Sequence, residues 1–81
     1  MNFGQYVKTL RSEHNWGLRN FCRHVGVDHG NWSRVESGER NAPRDTELLE
    51  VIAKTLKLTA GERAEYYRLA IETFIPKGII K

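Results

Sequence analysis

Residues 16–44, WGLRNFCRHVGVDHGNWSRVESGERNAPR, decide how this 81-residue chain is read. Leu18, Phe21, Cys22 and Val25 recur at i, i+3, i+4 and i+7, the spacing that aligns one apolar face of a helix. Gly26 follows at once, and glycine tolerates the left-handed backbone that closes a helix. Asp28 then stands where a helix cap belongs, its carboxylate free to accept from amides two or three residues on. A second short pattern turns Trp32 and Val35 inward and is closed by Gly38. The stretch predicts helices over 18–25 and 29–37, joined by a tight turn.

Two short helices joined in this way form a helix-turn-helix, whose second helix is free to lie in a DNA major groove. The flanks read as scaffold. Asn2 caps a first helix, 2–13, with Gln5 reaching back and Phe3, Tyr6, Val7 and Leu10 facing inward. Pro43 breaks the pattern after residue 37, leaving Glu39 to Arg44 as a loop. Asp45 caps a fourth helix, 46–57, with Leu48, Leu49, Ile52, Ala53 and Leu56 as its apolar face. Thr59 and Glu62 form a capping box for a fifth, 60–73, with Ala64, Tyr67, Ala70, Ile71 and Phe74 inward and a tail over 74–81. With no strand alternation and no repeat, the expected architecture is all-α: a single domain, 1–81, forming a compact bundle of five short helices.

Composition narrows the partners less than placement does. The net charge is +3, which permits nucleic-acid binding without demanding it. Residues 1–45 carry seven Lys/Arg against five Asp/Glu and residues 46–81 carry six against five, so bulk charge singles out no half. A domain this small buries roughly 60% of its unfolded surface, and a dimer partner would add stability. No apolar run reaches the roughly 18 residues of a membrane span, and the N-terminus lacks the apolar segment of a signal peptide. One cysteine, Cys22, on an apolar face suits a reducing cytoplasm, and cytoplasmic location is the expectation. Cys22, His24 and His29 lack the fourth ligand and paired spacing of a zinc site. No phosphate-binding glycine loop, paired carboxylates or Cys/His pair suggests catalysis. Neither metal, cofactor nor enzymatic activity is expected.

Helical phase selects the outward residues. With Trp32 inward, Gly30 and Arg34 fall nearly opposite; Ser33 and Ser37 flank that face, Asn31 lies at its other edge, and His29 sits in the first turn. The guanidinium of Arg34 matches the O6/N7 pair of guanine, or it pairs with phosphate or Glu39. Asn31 can read adenine in a bidentate manner, cap, or meet phosphate. His29 can donate to base or phosphate.

Leu10-Arg11, the G-L-R-x-F of Gly17 to Phe21, Gly26-Val27, and above all SRVESGER at Ser33 to Arg40 give the chain a resemblance to the lambda-repressor-like, Xre/Cro-type helix-turn-helix proteins, over about residues 3–58. The resemblance implies a five-helix bundle that binds an operator as a dimer, with 18–25 as positioning helix and 29–37 as recognition helix. It implies an ion pair between Arg11 and Glu36 tying the first helix to the third. It implies that Arg40, Asn41 and Arg44 follow the DNA backbone, with Arg44 in the slot that enters the minor groove, and Arg19 is a further phosphate candidate. The sequence departs from the family pattern at Gly30, where many members carry a base-reading side chain, and at Leu18, where a glutamine is common. Both departures shift weight toward phosphate contacts and DNA shape. Trp16 and Trp32 read as core. Tyr66, Tyr67, Phe74, Ile75, Ile79 and Ile80 exceed what one small core needs and suggest a homodimer interface or a docking site for another protein. The principal expectation is a sequence-specific repressor of a palindromic operator on double-stranded DNA. The alternative is an antitoxin or antirepressor acting mainly through a protein partner.

Overall fold

The chain winds into α1 (Phe3–Glu13), α2 (Leu18–Val25), α3 (His29–Ser37), α4 (Thr46–Thr55) and α5 (Ala60–Glu72), in a computed structural model that describes residues 1–74. No strand occurs among the described residues. The caps explain most of the boundaries. Asn2 and Gln5 satisfy each other's backbone amides before α1, and Thr59 and Glu62 do the same before α5. Gly26 and Gly38 end α2 and α3 in the left-handed conformation, at φ of 82° and 89°. α4 stops at Thr55 rather than continuing to residue 57. Lys57 turns left-handed there (φ 53°), and the Leu58 amide donates back to the Ala53 carbonyl. α5 likewise ends one residue short of expectation, with Thr73 as its cap.

α1 packs against α3 and α5, while α2 packs against α3 and α4. The core between them is aromatic at its centre: Phe3, Phe21 and Tyr66 are fully enclosed, and Trp32 meets Phe3 edge-on at 6.4 Å and Phe21 at 6.0 Å. Such pairs add specific geometry to the burial they provide. At Gly4 the backbone of α1 lies directly against that of α3. A Cβ on Gly4 would lie 2.1 Å from the Val35 carbonyl oxygen and 2.7 Å from that of Glu36, so only glycine fits.

The face of α5 differs from the expected one. Tyr66, Leu69 and Ala70 are buried, Tyr67 and Phe74 half-buried, and Ala64 and Ile71 exposed. The tertiary contact that sets this phase is the Tyr66 hydroxyl, which donates to the Leu49 carbonyl of α4 at 2.9 Å. Tyr66 therefore belongs to the core and not to a surplus surface. Trp16, expected in the core, is half-buried and meets Phe21 edge-to-face and His24 at a tilt. Ile75, Ile79 and Ile80 lie outside the described residues.

Candidate nucleic-acid interface

α3 is fastened on one side and bare on the other. Trp32, Val35 and Glu36 are buried; His29, Gly30, Asn31, Ser33, Arg34 and Ser37 are exposed. Three ties hold the buried side. Arg11 of α1 grips the Glu36 carboxylate with two parallel bonds, Nε to Oε2 at 2.8 Å and Nη2 to Oε1 at 2.9 Å. Its remaining Nη1 donates to the Trp16 carbonyl at 2.7 Å, fixing the chain that enters α2. The Trp32 indole N–H donates to Glu36 Oε2 at 3.0 Å, so the buried ring leaves no polar atom unpaired. The carboxylate bonded to Arg11 holds the guanidinium's pKa above its usual value, against the opposing effect of desolvation. A bidentate pair of this kind sets angle as well as distance.

The exposed side makes few internal contacts. Asp28 accepts from the Asn31 amide at 2.9 Å, capping α3, and its negative charge offsets the positive end of that helix. α2 begins differently. Gly17 caps it without a side-chain bond, leaving its first amides open to an anion. Cys22, buried beneath, has its thiol pKa pushed up by desolvation and acts as a small hydrophobe.

The arginines divide into two sets. Arg11, Arg63 and Arg68 each hold a carboxylate within 4.0 Å. Among the described residues Arg19, Arg23, Arg34, Arg40 and Arg44 hold none, Glu39 included, and all five are exposed. The second set is gathered around α3. Arg19 and Arg23 share a groove with His29 at the turn between α2 and α3. On the other flank Arg40 and Asn41 line a groove with Asn31, and the same two residues line a further hollow with Arg44. Arg23 escaped the sequence reading although its signal was present: it stands four residues after Arg19, on the same face of α2. Gly30 is not required by packing. A Cβ there would meet only the Asp28 carboxylate, at 3.2 Å.

A family model described as a helix-turn-helix domain matches residues 2–66. The chain belongs to the helix-turn-helix family. That family is one of DNA-binding domains, and the lambda-repressor-like resemblance is consistent with it. No curated protein and no solved structure gave a match. In this helix-turn-helix domain α2, the turn and α3 lie inside the matched stretch, whereas the last turn of α5 lies beyond it. No group of His, Cys, Asp and Glu able to hold a metal ion occurs among the described residues, and no helix there is long and apolar enough to cross a membrane.

Proposed function

We propose that the protein is a sequence-specific DNA-binding transcriptional regulator, acting as a repressor and binding a palindromic operator as a homodimer. The observation that carries this reading is the set of five exposed arginines without carboxylate partners among the described residues, all on α2, on α3 or in the loop that follows α3. A cation left unpaired by its own protein keeps its full value for displacing counterions from phosphate.

In this reading α3 enters the major groove. Arg34 is the base reader, with Asn31, Ser33 and His29 beside it. The bare backbone at Gly30 permits close approach where a side chain would hold the helix off, at a helix-propensity cost of about 1 kcal/mol relative to alanine. Arg19 and Arg23, with the open amides of α2, meet phosphates on one flank; Arg40, Asn41 and Arg44 meet them on the other. Arg11 and Glu36 touch no DNA and hold α3 at its angle. Two copies would read half-sites one helical turn, about 34 Å, apart. The rival role, docking mainly onto a protein as an antitoxin or antirepressor, draws less support once Tyr66 is counted in the core.

Selection of bound fragments from random DNA, followed by fluorescence anisotropy across a salt series, tests the proposal. Arg34→Ala is expected to relax preference at one base pair per half-site, a discrimination of ~1–3 kcal/mol. Arg44→Ala is expected to weaken all sequences alike and to lower the salt slope by about 1. Binding that is absent, or insensitive to salt, would sink the DNA reading and leave a protein partner in its place.

A further inference from the structure

We propose that the C-terminal end of α5 is part of the DNA-binding machinery: its cap Thr73 and the following Phe74 form a platform that positions Arg44 for the duplex. This rests on the reading of α3 and its following loop as the DNA-facing surface. Two independent contacts join the loop to the platform. The Thr73 hydroxyl accepts from the Ala42 amide at 3.1 Å while donating to the Ala70 carbonyl at 2.8 Å, so the loop is tied to the end of a helix. Ala42 itself is buried in the core, only 4% exposed. Two residues on, the Arg44 guanidinium lies over the Phe74 ring, 5.0 Å from its centroid. Pro43, between the two anchors, has its φ fixed by its own ring.

The chemistry of the stack favours presentation over sequestration. A guanidinium resting on an aromatic ring uses one planar face, and its N–H donors around the edge stay available to phosphate or base acceptors. Arg44 remains exposed, and no carboxylate lies within 4.0 Å of it among the described residues. Its neighbour Asp45 is engaged in capping α4, accepting from Glu47 and Leu48 at 3.0 and 3.3 Å. An arginine on a free loop would have to surrender its rotamer freedom on meeting DNA; one already stacked has surrendered much of it beforehand. Thr73 and Phe74 lie beyond the stretch matched by the helix-turn-helix family model.

The test is a double-mutant cycle on the full chain, read by anisotropy with a labelled random-sequence duplex at low and moderate salt. Phe74→Leu keeps apolar bulk but removes the π face, and is expected to weaken binding about two- to fivefold, the worth of an exposed cation–π contact. Phe74→Tyr, which keeps the face, should bind like the parent. Thr73→Val should lose affinity and Thr73→Ser should keep it. In an Arg44→Ala background the Phe74→Leu change should add nothing. Thermal melting of each variant separates loss of fold from loss of positioning, and the Tyr and Ser variants carry the comparison if Leu or Val destabilises. Additive losses, unchanged binding by Phe74→Leu or by Arg44→Ala, or tighter binding once the ring is gone would overturn the platform while leaving the DNA surface intact. A parent chain that fails to bind the duplex would instead overturn the underlying reading.

Discussion

Glu36 and Glu50 do the same chemistry in two settings. Each carboxylate takes an arginine from another helix and an aromatic donor: Arg11 and, one turn back on the same helix, the Trp32 indole for Glu36; Arg63 and the Tyr67 hydroxyl, both of α5, for Glu50. The Glu36 side chain is 6% exposed and that of Glu50 is 42% exposed. Burial decides what each is worth. Water screens the Glu50 clasp and would solvate its members if they parted. Nothing replaces the partners of Glu36, so its pair fixes the angle between α1 and α3 and with it the face α3 presents.

The contrast can be broken most forcefully at Arg11. Arg11→Ala strands a buried carboxylate and is expected to cost roughly 3–5 kcal/mol in urea unfolding. A loss near zero would mean the two settings are equivalent after all. Glu36→Gln keeps the shape but removes the charge, and should cost less, about 1–3 kcal/mol for a donor left unsatisfied. Next comes Glu50→Gln, with a smaller loss whose pH dependence is its signature. The Tyr67 hydroxyl and then Arg63 hold the Glu50 pKa below the usual carboxylate value, so its contribution is complete above that range and disappears as pH falls through the lowered one. Melting curves of parent and variant should converge in acid and separate toward neutrality. Smallest is Tyr67→Phe. Desolvation and the Glu50 bond push the Tyr67 pKa up to about 12, so its contribution holds below the ordinary tyrosine value near 10 and is lost between about 10 and 12. The variant should flatten part of the alkaline limb. The rest belongs to Tyr66, whose pKa burial raises further.

What could be read from the sequence follows the same division between local and distant causes. The in–out phase of α3 was legible because Trp32 is its one aromatic and Gly38 closes it. The phase of α5 was not, because apolar residues at 64, 66, 67, 69, 70 and 71 occupy most of its circumference. A hydroxyl bond to Leu49, far away in the chain, made the choice. Gly4 has no local signal for its role, which depends on the carbonyl of Val35, 31 residues away in the chain. The outward position of Arg34 followed from period alone, whereas the seat of Arg44 on Phe74 depends on a helix end that no local pattern connects with the loop.

The missing side chain at Gly4 has a mechanical consequence. Helices separated by interlocking side chains can shear, because rotamers change to absorb the slip. Here main chain rests on main chain, and the bidentate grip of Arg11 blocks rotation about that point of contact. The third helix is a fixed tooth on the first. When it seats against a surface, the yielding must come from the exposed arginine stems of α2 and α3 or from whatever it is pressed against.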